Sequence, residues 1–183
     1  AELGVDETDL LVVTAARVHP YKRLDVFVRV AANVIAGGSV PRARFVVIGG
    51  GPMLDELQTL VDDLGAADRV RLLGFRSDVH DILCAADAAM HPSRGEGFSL
   101  SILEYMSAAL PVLVPDVPSV AQAIDHRTNG LVYRDGDEED AVEKLRWLLT
   151  NDTARAAMGA RAQRDVEERY QLSQCVAALV QEM

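Results

Sequence analysis

A chain of 183 residues is of single-domain length, and 49% hydrophobic with 25% charged residues and no biased tract is the composition of an ordinary globular domain with a substantial core. The net charge of −10 argues against nucleic acid or an anionic membrane as a whole-surface partner, though it leaves room for a local cationic site. No apolar run reaches membrane-spanning length, Ala1–Asp6 lacks the basic and apolar regions of a secretion signal, and Cys84 and Cys175 read as reduced core thiols of a cytosolic protein.

Strand and helix signals alternate along the chain. Leu10–Thr14 is a short apolar, partly β-branched run and reads as a buried parallel strand. A loop with Arg17, His19, Pro20, Lys22 and Arg23 follows. Leu24, Phe27, Val28, Ala31 and Ile35 then recur at helical spacing, and Gly37-Gly38 stop that helix. Arg44–Ile48 is the second strand. It ends at Gly49-Gly50-Gly51-Pro52, where Pro52 suits the first turn of a helix carried on by Met53, Leu54, Leu57, Leu60 and Val61. Val70–Leu73 is the third strand, and Ser77 or Asp78 caps a helix over 78–86. Ala88–His91 is the fourth. A helix over 99–109, a strand Pro111–Val114, a short helix near 118–124 and a strand Leu131–Tyr133 come next. Helices near 138–150 and 153–169 and an amphipathic segment 171–182 complete the chain. This pattern implies an α/β fold: one doubly wound, Rossmann-like parallel sheet, whose ligands bind outside the carboxyl ends of the strands. The loops after Thr14, Ile48, Leu73 and His91 all lie on that edge.

The richest stretch is Ser93–Glu104, between the fourth strand and the next helix. Glu96 and Glu104 have seven residues between them. The glycines beside Glu96 allow close backbone approach, and the helix starting near Ser99 points unpaired N–H groups toward the same place. A carboxylate beside an anion site suits a ligand with hydroxyls and phosphates, such as a nucleotide-sugar. Glu96 is either a contact to sugar hydroxyls or an exposed loop acid. Glu104 has Leu100 and Ala108 as its i±4 neighbours and so no salt-bridge partner on its helix, which favours a ribose-binding role over a surface one. Arg17 and Lys22 either neutralise a diphosphate or form a solvated basic loop. Gly49-Gly50-Gly51 approaches a phosphate or makes a tight turn. The first loop has no glycine, which disfavours a dinucleotide-binding oxidoreductase. His19 and His91 read as loop and strand-end polar residues rather than catalysts, Asp135–Asp140 as a helix N-terminus, and Trp147 as packing. No spaced ligand set points to a metal.

The order of these motifs resembles the C-terminal, donor-binding half of the retaining glycosyltransferases of family 4, the group 1 glycosyltransferases of GT-B architecture. The E-x7-E signature stands as Glu96-Gly97-Phe98-Ser99-Leu100-Ser101-Ile102-Leu103-Glu104. The G-R-x…K-G segment stands as Ala16-Arg17-Val18…Lys22-Arg23, the G-x-G-P turn as Gly49-Gly50-Gly51-Pro52, and the base-flanking strand as Val70–Phe75. Pro111-Val112 and Gly130-Leu131-Val132 complete the set. The resemblance implies that Arg17 and Lys22 hold the donor diphosphate, that Glu96 contacts the transferred sugar, and that Gly97, Phe98, Ser99 and Leu100 offer backbone N–H groups. It implies that Glu104 binds the ribose, that Leu73, Gly74 and Phe75 flank the base, and that Gly51 approaches the donor. Transfer would proceed with retention through an oxocarbenium-like state, without a divalent metal or other cofactor. The donor would be a UDP-, GDP- or ADP-linked sugar, and the acceptor a glycan, glycolipid or small molecule. The chain would be residues 1–183 of one donor domain, an excised or split half whose N-terminal acceptor domain is absent and whose membrane contact would run through that half. Alone it would bind donor and transfer nothing. The alternatives are a GT-B nucleotide-sugar epimerase and a non-catalytic nucleotide-binding assembly module.

Departures from the pattern are Ala16 and Arg23 for two first-loop glycines, Ser99 for the second glycine of the G-F-G turn, where it can cap the helix, and Leu110 for glycine. Gln122 stands for the acid of the loop after the fifth strand.

Overall fold

The computed structural model describes residues 4–95, 97 and 99–170. Glu96, Phe98, Cys175 and the expected amphipathic segment 171–182 lie outside the described residues.

Six strands form one parallel sheet: β1 (Leu10–Ala15), β2 (Ala43–Ile48), β3 (Val70–Leu72), β4 (Ala88–Met90), β5 (Val112–Pro115) and β6 (Gly130–Tyr133). Their spatial order is β3-β2-β1-β4-β5-β6, so the chain reverses its winding between β1 and β4. A parallel sheet is covered on both faces, and the strands show it as continuous apolar runs whose alternate residues enter different layers. Val12, Phe45, Val47, Met90, Leu113 and Leu131 pack against α1 (Leu24–Ala36), α2 (Leu54–Asp63) and α6 (Glu138–Thr150). Leu11, Val13, Val46, Ala89, Val112 and Val114 pack against α3 (Val79–Cys84), α4 (Leu100–Ser107), α5 (Pro118–Ala121) and α7 (Asp152–Arg169).

Within the described residues the expected elements are present, with local differences. Pro52 lies in a turn, and α2 begins two residues later at Leu54. Residues 20–22 form a 3-10 turn ahead of α1. Asp78 stands at the N-cap of α3 without a side-chain capping bond, because its carboxylate is taken by Arg76 at 2.5 and 2.8 Å. Asp137 does cap α6, accepting from the Asp140 N–H at 2.9 Å. Trp147 is partly exposed, with the Arg127 guanidinium 5.9 Å from its ring centre. Cys84 is not a core thiol. It is the last residue of α3 and exposed, while its neighbours Ile82 and Leu83 supply the buried face.

Candidate functional site

The reversal between β1 and β4 leaves a crevice at the carboxyl edge of the sheet, the place where sheets of this order receive ligands. A cavity of about 870 Å³ occupies it. Its floor is formed by Ala15 and Ala16 at the end of β1, and by Ile48, Gly49 and Gly50 at the end of β2. Arg17, Phe75, Arg76, His80 and, from α4, Leu100, Leu103, Glu104 and Ser107 make the walls, and Val166 and Tyr170 of the α7 end close one side.

Four predicted residues therefore meet at one cavity: Arg17, Phe75, Leu100 and Glu104. Arg17 is exposed and has no hydrogen bond or ion pair among the described residues. Glu104 is exposed on α4, and its carboxylate is likewise without a partner among them. Arg76 differs, because its guanidinium is already engaged by Asp78. The Arg76 hydrogen bonds hold the Asp78 carboxyl below its ordinary range against a partial burial penalty. Phe75 is 87% and Leu100 69% exposed, two large apolar side chains on the cavity rim.

Of the other predicted residues that the structure describes, Lys22, Gly51, Leu73, Gly74, Gly97 and Ser99 are not among those that line the cavity. Gly49 and Gly51 stand where two loops touch. A Cβ on Gly49 would collide with the Ala16 carbonyl oxygen, and one on Gly51 with that of Val18. Gly49 also holds φ at +126°, where side chains are strained. The Val18 N–H donates to Gly50 O at 3.0 Å, and Gly49 N–H to Gly74 O at 2.8 Å. The glycine turn thus locks the first loop to the loop after β3, and Gly51 serves that contact. Leu73 continues the sheet through a bond from its N–H to Val47 O, and Gly74 makes the turn at φ +65°.

Lys22 sits on the 3-10 turn with its ammonium 5.5 Å from the Tyr21 ring centre. That turn is tied to the β4–α4 loop, since Tyr21 O accepts from Ser93 Oγ at 3.2 Å and from Arg94 N at 3.1 Å. Lys22 is thereby carried beside the glycine-rich turn. The next residue, Arg23, has φ of +51°, which explains why a glycine would suit that position. Its guanidinium pairs with Asp25 at 3.4 Å.

The glycine-rich turn is braced from two sides. Gln122 donates to Gly97 O at 3.2 Å and to Ser119 O at 3.0 Å, contacts that a carboxylate in its place could not make. Ser99 stands at the N-cap of α4 but makes no capping bond there. Its hydroxyl lies 3.1 Å from Nε2 of buried His91 instead. Tyr105, fully buried on α4, was not singled out by its sequence position, and neither were Arg76 and His80. No local pattern marks them, since the contacts that place them are formed by the fold.

The family model for Glycosyl transferases group 1 matches residues 1–165. The chain belongs to that family. Among curated members it is 34% identical over 169 residues to D-inositol 3-phosphate glycosyltransferase of Stackebrandtia nassauensis, covering 87% of this chain and 38% of that one. It is 26% identical over 176 residues to N-acetyl-alpha-D-glucosaminyl L-malate synthase of Bacillus anthracis, covering 96% and 45%. The chain thus spans less than half the length of these group 1 relatives. Its fold matches Anabaena HepE in complex with UDP at a TM-score of 0.88 and 21% identity, covering 100% of this chain and 51% of that one. It also matches the C-terminal domain of a group 1 protein, LpcC of Francisella tularensis, at 0.80 and 22%, covering 93% and 90%.

Proposed function

We propose that this chain is the donor-binding half of a retaining glycosyltransferase and holds a nucleoside diphosphate sugar in the β1–β4 crevice. The observation that carries the reading is the meeting of Arg17 and Glu104, both exposed, at one cavity on the carboxyl edge of the sheet. Glu104 accepts the ribose hydroxyls, and the base lies along Gly74-Phe75 at the rim. Arg17, with Lys22 of the turn that follows it, takes the charge of the diphosphate as the sugar bond breaks. Catalysis is then mostly positioning and charge stabilisation, with contact to the transferred sugar assigned to Glu96 and the departing diphosphate shielding one face of the cationic centre. UDP is the first nucleotide to try, because the solved HepE carries it. An acceptor site on a second domain of the whole enzyme would complete the reaction. That accords with the share of its relatives the chain covers, and this half would bind without transferring.

Calorimetric titration with UDP, GDP and ADP, repeated on Arg17→Ala, tests the reading. Saturable binding of one nucleotide, weakened about 10- to 100-fold by loss of one charge-assisted contact, is the expected result. Binding that ignores the substitution, or none at all, would remove the donor-site reading. Sugar transfer by the chain alone would refute the claim that it needs a second domain.

A further inference from the structure

The seam between β1 and β4 ends early. Pairing joins Val12 to Ala88 and Val13 to Ala89, yet β1 continues to Ala15 and stays paired with β2 as far as Ile48. A parallel strand sends the polar groups of successive residues to alternate sides. The Ala16 N–H donates toward β2, to Ile48 O at 3.0 Å, so the groups of Ala15 face the side from which β4 has parted. There the Tyr105 hydroxyl stands in for a strand, accepting from Ala15 N–H at 2.6 Å and donating to Ala15 O at 3.0 Å. Its ring is 0% exposed. Tyr105 directly follows Glu104 in α4, and Ala15 lies two residues before Arg17. The contact therefore joins the two arms of the cavity at its floor.

We propose that Tyr105 is a positioning residue: its hydroxyl sets the spacing between the Arg17 loop and Glu104, so that one rigid frame grips a nucleoside diphosphate at both ends. The inference rests on the donor-site reading above. Two anchors at fixed spacing act as a chelate, the second contact forming at high effective concentration. A ligand that meets only one anchor does not sense the spacing. Loss of the hydroxyl should therefore weaken a nucleoside diphosphate and spare the bare nucleoside, a split that general loosening of the fold would not produce.

The test compares the unaltered chain with Tyr105→Phe, which keeps the buried ring, using UDP by calorimetry and uridine by ligand-observed NMR (GDP or ADP and their nucleosides if one of those binds instead). The expected result is a Kd for the diphosphate raised at least about fivefold with the nucleoside Kd unchanged within about twofold. Asn129→Ala serves as control: it removes buried bonds to Asp165 and Ala123, neither of which lines the cavity, and should lower Tm without producing that split. An equal loss for both ligands, or an unchanged diphosphate Kd, overturns the inference alone. No saturable binding of any nucleoside diphosphate by the unaltered chain overturns the donor-site reading and this inference with it. If Tyr105→Phe does not fold, the Arg17→Ala and Glu104→Gln cycle decides. A rigid frame makes the double loss smaller than the product of the single losses by at least about fivefold, and additive losses overturn it.

Discussion

Replacing Glu104 by glutamine keeps the size of the side chain and removes its charge, with no ion pair among the described residues to disturb. Binding of the nucleoside diphosphate should weaken by about 10- to 100-fold, the range for one hydrogen bond to a charged group. Discrimination against the 2′-deoxy analogue should shrink with it, and titrating both nucleotides against Glu104→Gln checks this. Glu104 could be singled out in the sequence because no residue four positions away on its helix answers its charge, and Arg17 because it is a cation in the loop that follows the first strand. Tyr105 could not. Its meaning lies in a bond to Ala15, 90 residues away, and in isolation it is one more aromatic residue on an apolar helix face. Cys84 misled for a related reason: cysteine is commonly buried, but α3 is a helix of six residues and its last position faces outward.

At the level of elements, the contact between the first loop and the glycine turn has a measurable cost. Gly49→Ala places a Cβ against Ala16 O at a backbone φ of +126°. Urea unfolding should show a loss of about 1–3 kcal/mol or more, the scale of one strained backbone position. A second buried device holds α7 to the β5–β6 connection. Asn129 donates to Asp165 at 2.8 Å, and Arg161 donates to the same carboxylate at 2.9 Å. Burial works against the charged form of Asp165, but the bonds from Arg161 and Asn129 and the nearby Arg169 together hold its carboxyl below the ordinary range. Because the folded value is the depressed one, this stabilisation is present above the unfolded value of 3.8 and is lost as pH falls through the folded one. Asp165→Asn should therefore cost about 1–3 kcal/mol near neutrality and progressively less below about pH 4, read from urea midpoints across pH. The strands were visible in the sequence as apolar runs, since both faces of a parallel sheet are covered. The glycine turn was visible too, but its role was ambiguous, because approach to a phosphate and approach to a neighbouring loop ask for the same residue.

The whole molecule carries a net charge of −10, so an anionic ligand approaches against the overall field and relies on a few local cations. If Arg17 and Lys22 supply most of the attraction, added salt should weaken diphosphate binding, while uridine, being neutral, should be indifferent. Titrations at low and moderate ionic strength distinguish the two. The fold class was open to sequence reasoning because strand and helix alternate with short connections. The seam where the sheet parts was not, since strand order follows from packing among distant segments.

The bond between Tyr105 and Ala15 bears on how the chain reaches its native state. It spans 90 residues and closes at the point where the two halves of the sheet meet. Contacts so distant along a chain repay their loop-closure cost only after the loop has closed, so this bond is expected to form late. On that expectation the crevice is assembled after the rate-limiting barrier, and no earlier species offers a ligand both anchors. A bound nucleoside diphosphate should slow unfolding and leave the refolding rate nearly unchanged, so its protection would be seen in the unfolding limb of a chevron plot.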